Sequence, residues 1–572
     1  MKGNVHYFIF FLAFVLSLGL RLYTLYTTEP WWDENLYTVR PYNFFNSDHI
    51  STIDQSPLYF YMADLVYKIF GLSILSSRFL SLVYGLLSIP LLYLLIKEFS
   101  SPTQAILSSL FLSFSGFHIS YTIGDMGLTC SFFILLFLYF SVKLIKTTEP
   151  KYLFLSSLTL GIATLIKSYA LAFGFVSAAF LVWRIYKSKV QNQTFALEPK
   201  NMILSAILLI LLISPLLIYN FLLFNEKGQM DIIFTRFFRL DPGIYEGLGM
   251  PEFDIGVLPE HFSRVVIEHL FKYDPAILLA GTIGLGVLLI RRPTHFHMLL
   301  ASCFVFPFIF LLASTGLPKN FTVFAPLLSF FASEAVLASE RAISRFIKSP
   351  LVLPSISLLI VIFSVYVIVL NYERSHPTLE LREEIEKHSP QNTLYIADTR
   401  IYRGKIAWAL MDRHYLETAE LNYFPQLRDP NNYVLAKMVL IECVPGDCGW
   451  GESKADKTLY EKEINSLKSN LALVREIKKE ETPYYRIYVG TARLEPYSLL
   501  AIDYLHVFYF YPVGWKDKRL AWDNYNTDNP LHQLGRLVLY LSLLSAVSLS
   551  GLFIWLFLRE ANPKNLSPLN KL

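Results

Sequence analysis

The feature that most constrains this chain is a series of apolar stretches, each long enough to cross a membrane. Hydrophobic residues make up 53% of the sequence, charged residues 17%, and the mean hydropathy is +0.41. We therefore predict a polytopic α-helical membrane protein with room for one water-soluble domain. We place about twelve spans at roughly 5–26, 79–97, 103–120, 126–146, 152–166, 168–187, 201–223, 274–291, 296–314, 319–338, 351–370 and 536–558.

The positions of lysine and arginine predict the orientation of the chain. Short connections on one side hold Lys97, Lys143, Lys146 and Lys151 with few acids. Cytoplasmic loops carry such an excess, so we place that side and both termini in the cytoplasm and the protein in the cell membrane. The net charge of +4 is small and gives no indication of a nucleic-acid partner.

The longer connections then face outward and divide the chain. We predict a membrane domain over 1–370 with outward loops at 27–78 and 224–273, an extracytoplasmic domain at 371–535, and a final helix with a cytoplasmic tail at 536–572. Within the extracytoplasmic domain, helical patterns alternate with short apolar runs, which is typical of a small α/β fold. The predicted strands there are Leu394–Ala397, Met438–Ile441, Leu471–Ile477 and Tyr484–Val489.

Two of the four cysteines lie in this outward domain, as Cys443-Val-Pro-Gly-Asp-Cys448. A turn can close this short loop, and an oxidising compartment favours the bond. We therefore prefer a disulfide over two free thiols. A metal site comes last, because it would need more ligands than two cysteines.

Two adjacent carboxylates, Asp33 and Glu34, follow the first apolar stretch directly, next to Trp31 and Trp32. Tryptophan favours the headgroup zone, so the carboxylates are predicted to lie just outside the bilayer. They form either an ordinary solvated pair or a general base held over a membrane-embedded substrate.

Two further charged residues lie at the predicted outward ends of spans. Asp125 precedes a span, where it either caps that helix or belongs to a site, and one residue can do both. Lys167 separates two apolar runs at the tip of a short hairpin. A lysine at mid-membrane depth costs roughly 2.5–3.5 kcal/mol, so it either extends to the interface or meets a lipid phosphate.

These motifs together resemble the GT-C membrane glycosyltransferases over roughly residues 5–345. The similar elements are Arg21-Leu22-Tyr23, Trp31-Trp32-Asp33-Glu34, Ser56-Pro57-Leu58-Tyr59, Asp125 and Ile166-Lys167. The nearest group holds protein O-mannosyltransferases and bacterial aminoarabinose–lipid A transferases. One departure is Gln55-Ser56-Pro57, where that group often has a second proline or a lysine nearby.

The resemblance implies an inverting transferase that moves a single sugar from a polyprenyl-phosphate donor to a hydroxyl of an outward protein, glycan or lipid. It implies that Asp33 is the general base and that Glu34 and Asp125 complete the acidic part of the site. The expected donor-phosphate ligands are Lys167, Arg78, Tyr59, Lys319 and Arg236. The scheme requires no cofactor, although the three carboxylates could also hold a divalent metal.

Two alternatives come from other functional classes. A lipid or solute transporter would show inverted repeats and charges near the centres of several spans, and the sequence shows neither. A non-catalytic envelope assembly protein would use the outward domain to bind a partner, which leaves the placement of Asp33 and Glu34 unexplained.

Overall fold

We analysed a computed structural model of the chain. The structure describes residues 2–30, 34, 37–38, 41, 44–46, 50–52, 54–190, 197–238, 240, 254–291, 293–371, 376–388, 393–398, 400–401, 403–410, 413, 415–418, 434–445, 448, 464–465, 467–469, 471–494 and 525–561. Asp33 lies outside the described residues.

Eighteen helical segments are defined in the described part of the chain. They are α1 Lys2–Thr27, α2 Leu58–Phe70, α3 Ile74–Lys97, α4 Pro102–Ser113, α5 Gly116–Ser120, α6 Met126–Thr147, α7 Pro150–Ile166, α8 Leu171–Val190, α9 Pro199–Lys227, α10 Ile232–Phe237, α11 Ile255–Tyr273, α12 Pro275–Ile290, α13 His295–Ser314, α14 Ala325–Ile343, α15 Val352–Leu370, α16 Pro377–Glu386, α17 Arg403–Ala409 and α18 Pro530–Ala561.

Among the described residues, nine helices are long and apolar enough to span a membrane, or ten if the bent pair α11 and α12 counts as one span. The difference from the predicted twelve lies in two places. The predicted span at 103–120 is broken into α4 and α5, because Ser115 starts a new helix by accepting a hydrogen bond from the backbone N–H of His118. The helix α7 is also short, with 17 residues.

Local sequence signals explain where several helices begin and end. Ser73 and Ser76 form a reciprocal cap at the start of α3, five residues before the predicted start of that span. Proline occupies the first turn of α4, α7 and α9, where its missing N–H costs nothing. Gly228, with φ of 70°, ends α9 in the left-handed conformation that glycine adopts without strain.

The helices pack in a central group and a surrounding ring. α3, α6 and α14 are mostly enclosed by protein, whereas α1, α8, α9 and α15 leave most of their apolar surface outward. α3 contacts both α6 and α14, α4 packs against α3 and α14, and α18 returns to pack against α9 and α2. The helix α2 packs against α3, α7 and α18, and its residues Leu58–Asp64, Val66 and Tyr67 are buried.

A five-stranded mixed sheet follows late in the chain, between α15 and α18. Its strands are β1 Thr393–Ala397, β2 Tyr415–Glu417, β3 Val434–Cys443, β4 Leu471–Lys479 and β5 Thr482–Leu494. The strand order is β2-β1-β3-β5-β4, with β1 parallel to β2 and β3, and β5 antiparallel to β3 and β4. The four predicted strands correspond to β1, β3, β4 and β5, and β2 was not predicted.

Candidate active site

The first part of the site is a buried ion pair between Glu34 and Arg78. The Arg78 Nε and Nη2 atoms donate to the two carboxylate oxygens of Glu34 at 2.5 and 2.9 Å, and both side chains are fully buried. The same guanidinium donates to the backbone carbonyls of Leu25 and Thr28 at the end of α1. Arg78 thus joins α3 to the end of α1 and to the acidic motif, a structural contact that the sequence prediction of phosphate binding did not include.

The loop before α6 forms the second part. The backbone N–H of Gly124 donates to Glu34 Oε1 at 2.9 Å. A Cβ atom at Gly124 would lie 2.7 Å from the Thr38 hydroxyl oxygen and 3.2 Å from Glu34 Cγ, so only glycine permits this approach. On the other side of the loop, Arg21 donates to the Thr122 hydroxyl at 3.0 Å and to the carbonyl of His118 at 3.2 Å.

Asp125 ends this loop and caps the helix that follows, which is one of the two roles that the sequence left open. Its carboxylate accepts a hydrogen bond from the backbone N–H of Gly127 at 2.6 Å, which caps α6. The same oxygen, Oδ1, lies 3.7 Å from Lys167 Nζ, and both side chains are at least 95% buried. The carboxylate is therefore a helix cap and also the partner of a buried cation.

Lys167 and Lys319 supply the positive charge of the site. Lys167 follows the last residue of α7 and donates to Asn320 Oδ1 at 2.9 Å. Lys319, the residue before Asn320, lies in a 3-10 turn at Pro318–Phe324 and donates to the Tyr37 hydroxyl at 2.8 Å. Two lysines from distant parts of the chain are thus brought to one end of the helix bundle.

Tyr59 lies in the first turn of α2 and is buried. Burial, together with the nearby acidic groups Tyr67, Asp125 and Glu34, raises the pKa of Tyr59 well above its ordinary value. Its hydroxyl therefore stays protonated and can act as a neutral hydrogen-bond donor at this end of the bundle.

The structure thus brings together six of the sequence-predicted residues, which are Glu34, Arg78, Asp125, Lys167, Lys319 and Tyr59. Arg236 lies in the last turn of α10 and is half-buried. Asp33 is the chain neighbour of Glu34 and lies outside the described residues.

Tyr37, Asn320 and Gly124 bind the charged side chains, but the sequence predicted no role for them. Tyr37 and Asn320 are close in sequence to predicted site residues, and that proximity could have indicated that they belong to the site. Among the described residues, the site holds three cations, Arg78, Lys167 and Lys319, and two carboxylates, Glu34 and Asp125.

Cys443 and Cys448 are joined by a disulfide at the end of β3. In the described part of the chain, no group of three or more His, Cys, Asp or Glu side chains is arranged to hold a metal ion.

The fold is similar to that of ArnT, and the sequence resemblance predicted this fold. The chain superposes on crystal structures of ArnT from Cupriavidus metallidurans bound to undecaprenyl phosphate, with a TM-score of 0.57 and 14% identity, and in the apo state, with a TM-score of 0.55 and 12% identity. Each superposition covers 84% of this chain and 97% of the other.

In sequence, residues 54–219 match the family described as dolichyl-phosphate-mannose-protein mannosyltransferase. The matched region contains Tyr59, Arg78, Asp125 and Lys167. No curated protein matches the chain in sequence.

Proposed function

We propose that the protein transfers a single sugar from a polyprenyl-phosphate donor to a hydroxyl group of an extracytoplasmic protein, glycan or lipid, with inversion at the anomeric carbon. The observation that carries this proposal is the placement of two buried lysines, Lys167 and Lys319, beside the acidic motif at one end of the bundle. The similarity to an ArnT structure that binds undecaprenyl phosphate supports a lipid-phosphate donor.

In the proposed mechanism, the Asp33 carboxylate accepts the proton of the acceptor hydroxyl. The hydroxyl oxygen attacks the anomeric carbon from the face opposite the phosphate and forms the new C–O bond, so the configuration at that carbon is inverted. The bond between the anomeric carbon and the phosphate oxygen breaks, and its electron pair leaves with the phosphate. Lys167 and Lys319 stabilise the negative charge that develops there, while Tyr59 can donate a hydrogen bond.

The other acidic residues have positioning roles in this scheme. Glu34 is bound by Arg78 and Gly124, which leaves its neighbour Asp33 as the proposed base. Asp125 holds Lys167 and caps α6. The scheme needs no metal, although Asp33 and Asp125 are oxygen ligands of the kind that divalent cations take.

We also propose that the site faces away from the cytoplasm. At the opposite end of the bundle, Glu98 binds Lys143 and Lys146 in the last two turns of α6, and Lys151 lies in the first turn of α7. Such a concentration of lysine at the ends of adjoining spans favours the cytoplasmic side. A cysteine placed at Glu481, in the turn between β4 and β5, should therefore react with a membrane-impermeant reagent on intact cells, and protection there would reverse the assignment.

The activity is tested with the full-length protein in nanodiscs, undecaprenyl-phosphate-linked hexoses and pentoses, and an envelope extract as acceptor. The readout is release of undecaprenyl phosphate, measured by mass spectrometry. Asp33→Asn should lower the release rate by roughly 10²–10⁴-fold, since the amide cannot accept the proton. Asp528→Asn, at an exposed position before α18, is the matched control and should keep the wild-type rate. A normal rate in Asp33→Asn would reject the proposed base.

A second measurement tests the proposed phosphate site. Lys167→Met should weaken binding of undecaprenyl phosphate by about tenfold or more, because a hydrogen bond to a charged group contributes about 1.5–3 kcal/mol. Lys146→Met, which changes an exposed lysine at the other end of the bundle, should bind it as the wild type does. Equal affinity of Lys167→Met and wild type would place the phosphate elsewhere.

A further inference from the structure

The extracytoplasmic domain makes two contacts at or near the acidic segment, which comprises residues 29–38. The first is Glu29, four residues before Asp33. Both of its carboxylate oxygens accept from the backbone N–H of Thr378, at 3.2 Å, in the first turn of α16, where the helix dipole favours an anion. Lys405 on α17 lies 4.0 Å from the same carboxylate. The start of the acidic segment is therefore bound by two helices of the outward domain.

The second point is Trp408, on the same helix α17. The Arg78 guanidinium carbon lies 5.8 Å from the centre of the Trp408 ring, within the range of a cation–π contact. Trp408 is fully buried, and so is the Arg78–Glu34 pair that it covers. The indole therefore keeps water from one side of a buried ion pair, which strengthens the electrostatic attraction within it.

The helix α17, which carries Lys405 and Trp408, is held in place at both ends. The carbonyl of Arg400, just before α17, accepts from the backbone N–H of Cys448 at 3.1 Å. Cys448 is bonded through its disulfide to Cys443, the last residue of β3. At the other end of α17, Arg382 on α16 donates to the carbonyl of Ala409 at 3.0 Å. The sheet and α16 thus hold both ends of the helix.

We propose that Trp408 is a positioning residue, which fixes the Arg78–Glu34 pair and thereby the acidic segment beside it. Glu29 and Glu34 bracket Asp33 in the chain, and each is held by the outward domain, Glu29 directly and Glu34 through Arg78 and Trp408. The outward domain is then required for turnover as well as for any contact with the acceptor. The part of this inference that concerns turnover rests on the proposed function, and the part that concerns the contact does not.

Hydrogen exchange of the full-length protein in nanodiscs tests the contact without any assay of activity. Trp408→Ala should speed exchange in peptides spanning 29–38 by about tenfold, because the ion pair loses its cover. Trp408→Phe keeps an aromatic face and should exchange as the wild type does. Trp555→Ala, at an exposed position on α18, is the matched control. Unchanged exchange in Trp408→Ala would overturn the proposal, and so would equal acceleration in Trp408→Phe.

If Trp408→Ala does not fold normally, faster exchange in β3 and β5 will show that the domain has unfolded. In that case a variant of Glu29, the residue of the first contact, provides the test. Glu29→Gln weakens the attachment to Lys405 and to the α16 N-terminus while leaving the sheet intact. It should also speed exchange in peptides spanning 29–38, by a smaller factor. If β3 and β5 stay protected in Glu29→Gln and these peptides do not change, the proposal is wrong.

The last measurement separates positioning from binding, with undecaprenyl phosphate as the probe. Trp408→Ala should bind it with wild-type affinity, while the release rate falls by about tenfold because the base is misplaced. Trp408→Phe should restore the rate. A loss of affinity equal to the loss of rate would make Trp408 part of the donor site instead. If the wild-type protein does not bind this lipid at all, the proposed function fails, and the exchange result still decides whether the contact positions the segment.

Discussion

The two ends of the helix bundle carry the same kinds of ion pair in opposite environments. At the end that carries the candidate site, named the outward end after its proposed orientation, Glu34 and Arg78 are 0% exposed, and Asp125 and Lys167 are 3% and 5% exposed. At the opposite end, named the cytoplasmic end for the same reason, Glu98 is 16% exposed, and its two partners, Lys143 and Lys146, are 23% and 49% exposed. These four charges of the outward end are held inside the protein, whereas these three of the cytoplasmic end remain in contact with water.

The two environments have different energetic consequences. Burying an ion pair costs several kcal/mol for each ion, which the attraction between the charges offsets only when the geometry is good. An exposed pair costs little and contributes about 0–1 kcal/mol. The outward pairs are therefore poor candidates for general stabilisation. Their burial is explained by the need to place charges at fixed positions, as the proposed transfer reaction requires.

The largest expected difference between the two ends follows from removing one cation from each. Arg78→Met leaves the Glu34 carboxylate buried without its ion-pair partner and should lower the free energy of unfolding by about 3–5 kcal/mol. In Lys143→Met, Glu98 still contacts Lys146 and water, so the free energy of unfolding should change by less than about 1 kcal/mol. Thermal unfolding of both variants in detergent measures the two effects. Similar losses at the two ends would show that burial does not distinguish them.

A second effect concerns Asp231, a buried carboxylate between α9 and α10 at the outward end. It binds the amide of Asn220 and the backbone N–H of Phe234, at 2.7 Å each. Burial, reinforced by the charge of Asp54, raises the pKa of Asp231 to about 6 in spite of these hydrogen bonds. The ordinary pKa of an aspartic acid is about 4, so the folded protein binds this proton more tightly than the unfolded chain does.

The sign of the pH dependence follows from linkage. The stability that Asp231 contributes is fully present below about pH 4 and is lost as the pH rises to about 6, with a total of at most roughly 2–3 kcal/mol. Asp231→Asn removes this titration while keeping an oxygen acceptor, so its melting temperature should rise relative to that of the wild type between pH 4 and 7. The exposed Asp528→Asn is the control. A difference that stays constant over this range would contradict the assigned pKa.

Much of the fold followed from the sequence because the signals were local. The apolar runs predicted the nine long helices and α12, whereas α11 had been placed in an outward loop. Four of the five strands followed from short runs such as Met438–Ile441. The break between α4 and α5 was missed, because a capping serine inside an apolar stretch is a weak signal. β2 was missed because Tyr415–Glu417 has only three residues, which is too short for an alternating pattern.

The site was predicted only as a set of charged residues at one end of the bundle. Their pairing depends on contacts between distant parts of the chain, such as Lys167 with Asn320 and Arg78 with Trp408. No local pattern distinguishes an arginine that binds a ligand phosphate from one that binds Glu34. The cap at Asp125 was predicted because capping is local, whereas its distance to Lys167 required the fold.

The smallest expected effect returns to the cytoplasmic end. Glu98→Gln removes the negative charge that both Lys143 and Lys146 contact, yet all three side chains are partly exposed. The free energy of unfolding should therefore fall by less than about 1 kcal/mol, and the difference from wild type should shrink as salt is raised toward 1 M, where the screening length is about 3 Å. The matched outward variant is Glu34→Gln, whose buried partner Arg78 is not reached by salt, so its larger loss should persist. The free energy of unfolding of both variants is measured in detergent at low and high salt. A loss in Glu98→Gln that does not change with salt would show that its ion pairs are shielded from solvent as the Glu34–Arg78 pair is.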